Sequence, residues 1–184
     1  MRIANVEKPR GLFVRFAYWM SRRRLGKVVT PLKAVYARIP RTMLVEYGVM
    51  RVLDGGLSLD RGLQFLVQHH VARLNGCGFC IDIGRALAIG YHVDLDKIEA
   101  LDRFRSDPRF SESERAALAY VEEATRQKRV SDATFAALRR HFDDTHIAEI
   151  TWLCALENYF NLINLPLEIE SDGLCAIAER RRAA

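Results

Sequence analysis

The feature that most narrows the fold is a stripe. Leu59, Leu63, Leu66, Val67, His70, Val71 and Leu74 recur at spacings of three and four, Asn75-Gly76 then interrupts, and Cys77 follows at once. That period is a helix with one buried face, and a break at Gly76 makes the segment from Cys77 to Ile89 a second helix that Gly90 can end. The same period runs through Leu12, Phe13, Phe16, Trp19 and Met20, and again through Met43, Leu44, Tyr47, Met50 and Leu53. Asp54-Gly55-Gly56 ends the latter helix, and Ser58 is expected to cap the next. Ser111 with Glu114 forms a capping-box pattern, and Ser131 can cap a helix to about Phe142. Asp144 or Thr145 can open the long segment that ends before Pro166, and a short terminal helix is expected near Ser171. No run alternates for long enough to make a strand, so the predicted fold is all-α.

A chain of 184 residues with 49% apolar content can build one core. Residues 8–41 carry ten Lys or Arg and no Asp or Glu, although the whole chain is only +5. Residues 1–40 therefore read as a basic helical arm and 41–184 as the helical domain, with Pro31 and Pro40 dividing the arm. Such a run suits nucleic acid, anionic lipid or an acidic partner surface. A solvated arm that wraps its own domain or a neighbouring subunit is the favoured reading. The apolar run from Leu12 to Met20 is interrupted by Arg15 and lacks a small-residue cleavage site, so no signal peptide is read. No stretch approaches the roughly 18 apolar residues of a spanning helix, and the expected protein is soluble and cytoplasmic.

The chemistry concentrates at Cys77 and Cys80. Cysteines at i and i+3 in a first helical turn lie on one face, close enough to exchange between dithiol and disulfide. Unpaired N–H groups and the positive end of the helix dipole favour the thiolate, the species that attacks a peroxide or a disulfide. Zinc competes for the same spacing, but Cys154 and Cys175 stand 21 residues apart and no histidine pair completes a ligand set. Two inert core cysteines remain a further alternative.

The segment Leu74-Asn75-Gly76-Cys77-Gly78-Phe79-Cys80-Ile81-Asp82 resembles the alkylhydroperoxidase D-like (AhpD-like) branch of the alkylhydroperoxidase and carboxymuconolactone decarboxylase superfamily. The likeness continues through residues 113–121, 135–139, 149–151 and 158–164, and spans roughly 57–170. The resemblance implies a helical fold, homo-oligomers, no metal or organic cofactor, and reduction of hydroperoxides with a thiol reductant protein as electron donor. It assigns the oxidised sulfur to Cys80 and the resolving thiol to Cys77. The family relay also has a glutamate twelve residues before the first cysteine and a histidine four after the second. Here those positions hold Phe65 and Gly84. Neither takes up a proton, which removes a contribution of about 10²-fold or more.

His69, one turn from Phe65, is the candidate substitute, set against a half-buried histidine without a role. His70 reads as core, and His141 and His146 as surface residues. Asp82 is expected to be solvated or paired with Arg85 or Arg73. Asn158, Asn161 and Asn164 recur at i+3 and can line a polar seam. The leading function is a thiol-dependent peroxidase or disulfide reductase. The alternatives are a lactone decarboxylase, for which no residue set is found, and a helical oligomer whose relay has degenerated.

Overall fold

A computed structural model describes residues 1–183. Among them no strand occurs, and nine α-helices follow in order: α1 (Leu12–Leu25), α2 (Thr42–Leu53), α3 (Arg61–Asn75), α4 (Gly78–Gly90), α5 (Leu95–Glu99), α6 (Glu112–Gln127), α7 (Asp132–Arg139), α8 (Asp144–Asn164) and α9 (Leu174–Ala183). A π-helical turn at Leu32–Tyr36 lies between α1 and α2, and the predicted boundary near residue 40 falls between that turn and α2. No helix among the described residues is long and apolar enough to cross a membrane.

The predicted stripe is the centre of the molecule. Leu63, Leu66, Val67 and Val71 of α3 pack with Leu118 and Val121 of α6 and Ile150 and Leu153 of α8. Burying that set removes several hundred Å² of apolar surface from water, at about 25 cal/mol per Å². The helix starts differently from the expectation. Asp60, not Ser58, caps α3, its side chain accepting from the Leu63 N–H at 3.1 Å. Ser58 is drawn away because its N–H and hydroxyl both donate to Glu149 on α8. Likewise Asp143 caps α8, one residue before the expected Asp144, and α7 stops at Arg139, three residues short of Phe142. The Ser111–Glu114 capping box forms as read.

A second, smaller core lies where α4, α9 and the N-terminal segment meet. Cys77, Phe79 and Cys80 pack there with Ala34, Ile169 and Leu174. Both ends of the chain converge on it. Arg2 pairs with Glu168, and Lys27 and Thr30 both engage Asp172. The basic N-terminal stretch is thereby folded against the segment that leads into α9. By contrast, most of the stripes on α1 and α2 face outward: Leu12 is 82% exposed, and Phe16, Trp19, Leu44 and Tyr47 each more than half, while Met43 at the start of α2 is buried and Leu53 at its end packs on the main core.

Candidate active site

Gly76 adopts φ +69°, the left-handed conformation that terminates α3, and its N–H closes onto the Arg73 carbonyl. Cys77 follows in extended conformation as the N-cap of α4, with no side-chain cap of its own, and Cys80 sits in the first turn. The two are joined as a disulfide with Cα atoms 5.3 Å apart, within the ordinary range. Cys77 is 0% and Cys80 6% exposed, so only Cys80 has a surface edge.

What surrounds the sulfurs comes from the C-terminal half of α8. Asn161 donates from Nδ2 to Cys80 Sγ at 3.1 Å, and Asn164 donates to the same sulfur at 3.4 Å and more weakly to Cys77 Sγ at 3.9 Å. Asn161 is held in turn by Asn75 at the end of α3, whose Nδ2 donates to its Oδ1 at 2.8 Å and to Asn158 Oδ1 at 3.0 Å. The expected seam of asparagines therefore exists, and it points at the cysteines. It also ranks them, which the helix dipole alone does not. Donors to sulfur favour the charged form, and they converge on Cys80.

Glu157, which the sequence reading did not single out, completes the seam. It lies one turn before Asn161, is 7% exposed, and its Oε1 accepts from Asn161 Nδ2 at 2.7 Å. Burial pushes its carboxyl up to about 7, against the opposing pull of the Asn161 bond. The only advance signal was its i−4 register to Asn161.

His69 is buried at 3% exposure, more deeply than the half-buried position expected of a histidine without a role. Its Nδ1 finds no hydrogen-bond partner among the described residues, and it is not hydrogen-bonded to either sulfur. Burial, reinforced by Arg73, Arg85 and His70, lowers its pKa to about 4, so the ring is neutral at physiological pH. The ring packs on α4 where Gly84 leaves room: a Cβ at Gly84 would lie 2.9 Å from His69 Nδ1. The volume a residue-84 side chain would need is thus taken by an imidazole from α3. Phe65, at the other relay position, turns toward Tyr91, with ring centroids 5.7 Å apart. His70 is buried as read, its ring edge-on to Phe104.

Asp82 departs from expectation. It is buried and its carboxylate accepts the backbone N–H groups of Asp172, Leu174 and Cys175 at 2.8–3.0 Å. Burial works to raise its pKa, but those bonds outweigh it and hold the group below the usual carboxylate value. Arg85 and Arg73, the expected partners, pair instead with Glu99 and Asp102. Asp82 thereby clamps the start of α9 onto α4 beside the dithiol. Among the described residues no cluster of three or more His, Cys, Asp or Glu side chains is arranged for a metal ion.

Comparison with known proteins places this geometry in context. The model of the carboxymuconolactone decarboxylase family matches residues 43–123. Uncharacterized protein YnjA of Escherichia coli is 33% identical over 172 residues, which cover 92% of this chain and 94% of that one. Among solved structures, the debrominase Bmp8 in complex with 2,3,4-tribromopyrrole superposes with TM-score 0.81 at 16% identity, covering 98% of this chain and 97% of that one. The alkylhydroperoxidase AhpD core protein of Ralstonia eutropha, an uncharacterized peroxidase-related protein, gives 0.75 at 18% identity, over 95% and 93% of the two chains. At these identities the structural likeness speaks for the all-helical fold.

Proposed function

We propose that this chain, which belongs to the carboxymuconolactone decarboxylase family, is a dithiol oxidoreductase that reduces a hydroperoxide or a small disulfide. The observation that carries this reading is the convergence of the Asn161 and Asn164 amides on Cys80 Sγ in the first turn of α4. Two donors and the helix N-terminus all favour charge on that sulfur.

With the pair reduced, the Cys80 thiolate attacks the hydroperoxide, an S–O bond forms as the O–O bond breaks, and the departing alkoxide takes a proton to leave as alcohol. The Cys77 thiolate then attacks the sulfenic sulfur, forming the S–S bond and releasing the oxygen as water. A dithiol reductant, protein or small molecule, returns two electrons and two protons. On a disulfide substrate the first step is exchange through a mixed disulfide. A reducing compartment such as the cytoplasm supplies that donor. His69 enters as a neutral acceptor packed on α4 at Gly84, one turn beyond Cys80, where its unpartnered Nδ1 is free to accept a hydrogen bond. If His69→Ala leaves thiol reactivity and its pH dependence unchanged, that role falls.

The outward apolar faces of α1 and α2 support assembly into a homo-oligomer. They also favour the second reading, a non-enzymatic helical module with a sealed, idle dithiol. Turnover separates the two. Wild type, Cys77→Ser, Cys80→Ser and the double variant are each given a dithiol reductant with cumene hydroperoxide, a low-molecular-weight disulfide or a brominated pyrrole. Turnover of the hydroperoxide or the disulfide that needs both cysteines is the expected result, and turnover of the pyrrole alone overturns the substrate assignment. Wild-type rates equal to the double variant on all three overturn the proposal in favour of the module.

A further inference from the structure

Glu157 is an expensive residue to keep where it is. A carboxylate inside a helical core sacrifices its hydration, and nothing in the fold compensates it as the clamp compensates Asp82. Its influences are burial and the Asn161 hydrogen bond, with no cation among them. The charged and titratable groups of the neighbouring elements are engaged elsewhere or neutral. On α3, His69 and His70 are neutral by burial and Arg73 pairs with Asp102. On α6, Glu122 pairs with Arg105 and Arg126, while Lys128 just beyond it donates to the Thr125 carbonyl. On α8 itself, Cys154 is buried against Thr125, with burial pushing its thiol up. That leaves α4, which brings Cys77 and Cys80.

The link to Cys80 is a single amide. Asn161 Nδ2 carries two hydrogens, and its two acceptors are Glu157 Oε1 at 2.7 Å and Cys80 Sγ at 3.1 Å. Asn75 fixes the other end of that amide at 2.8 Å, so it does not turn away. The carboxyl oxygen and the sulfur therefore lie within about 6 Å, a range at which two like charges in a dry site strongly disfavour each other. With the disulfide closed, only Glu157 of the two can carry charge. With it open, a Cys80 thiolate and a Glu157 carboxylate compete for one site's worth of negative charge, and their protons belong to the pair.

We propose that Glu157 is the proton-coupled positioning residue of the dithiol: reduction of the Cys77–Cys80 disulfide draws a proton onto Glu157, and oxidation releases it. The step balances. Two electrons from a dithiol reductant break the S–S bond, one proton goes to Cys77, and the second goes to Glu157 instead of Cys80, which stays a thiolate. When that thiolate is oxidised by a hydroperoxide, the proton lost from Glu157 balances the alkoxide that departs as alcohol. Asn161 keeps the sulfur oriented in both states. A carboxyl group whose acidity stands close to neutrality in the closed form is poised for this exchange. The relay residues absent at Phe65 and Gly84 are thus replaced in function by a group from a different helix. The inference rests on the redox reading of the site.

The test uses the full-length protein poised in oxidised and reduced dithiol buffers across pH. In wild type, infrared difference spectra at pH 7 should show a protonated-carboxyl band gained on reduction and absent from Glu157→Gln. Proton uptake by the protein per reduction at pH 7 should fall from about one and a half in wild type, where Glu157 starts about half protonated, to about one in Glu157→Gln, whose Cys80 no longer shares its titration. The alkylation profile of Cys80 should lose one of two inflections in the same variant. The infrared measurement needs only wild type, so a poorly folded variant does not shield the proposal. A pair that opens and closes without any carboxyl band overturns this inference alone. A pair that no dithiol reductant opens overturns the redox reading as well.

Discussion

At the scale of single residues the site depends on which groups reach Cys80 Sγ. Removing the closest donor with Asn161→Ala should disfavour the Cys80 thiolate and slow its alkylation at pH 7 by roughly tenfold. A pH–rate profile of the reduced protein reads this directly, and an unchanged profile would mean that the helix terminus alone sets reactivity. Gly84 and His69 give a second test, because they share one volume. Gly84→Ala should destabilise the fold by about 1–3 kcal/mol from overpacking against the ring, and most of that loss should vanish in a His69→Ala background. Denaturation midpoints of the four proteins close the cycle. The cysteines and the asparagine seam were legible in the sequence because each is local: a break before a CxxC, and a polar recurrence at i+3. Glu157 was not, since a lone glutamate on a helix looks the same whether it faces water or a core. Asp82 was misread for a related reason. Arg85 lies one turn away, but the partners are backbone N–H groups about 90 residues on.

At the scale of elements, helix ends decide what the site can do. Most starts and stops followed from local capping chemistry, and the misses are instructive. Ser58 lost its capping role to a long-range bond from Glu149, a competition that no local rule weighs. The stripes on α1 and α2 were read correctly as helical, yet periodicity gives a face without its direction, and the middle of each face points outward. The start of α9 is held to α4 by Asp82, and three bonds to a charged acceptor are together worth about 3 kcal/mol or more. Asp82→Ala should therefore loosen α9 ahead of global unfolding. Faster hydrogen exchange at the α9 amides, with quicker alkylation of Cys80 in the reduced protein, is the expected signature; exchange unchanged from wild type would show that apolar packing alone holds the helix.

At the scale of the whole molecule, buried titratable groups set opposing pH dependences of stability. Burial lowers the folded pKa values of His69 and His70 to about 4, from the ordinary histidine value of 6.5. The unfolded chain binds their protons first, so their penalty is absent above pH 6.5 and grows to about 3 kcal/mol per histidine as pH falls through that window. Glu157 has the opposite sign. Its folded value of about 7 lies above the ordinary glutamate value of 4.5, so its penalty is absent at low pH and grows as pH rises from 4.5 through 7. Asp82, held low, contributes stability above its unfolded pKa that is lost only as pH falls through its depressed folded value. Glu157→Gln should thus raise stability at pH 8 by up to about 3 kcal/mol and leave it little changed at pH 4. Urea midpoints at the two pH values measure it, and an equal gain at both would contradict the assigned titration. Finally, the cover over the dithiol is assembled from Ala34 near one end of the chain and from Ile169 and Leu174 near the other. A ribosome must therefore reach residue 174 before the cysteines can be enclosed. Through synthesis they stand open to whatever redox couple surrounds them, and once the cover closes only the edge of Cys80 stays within reach.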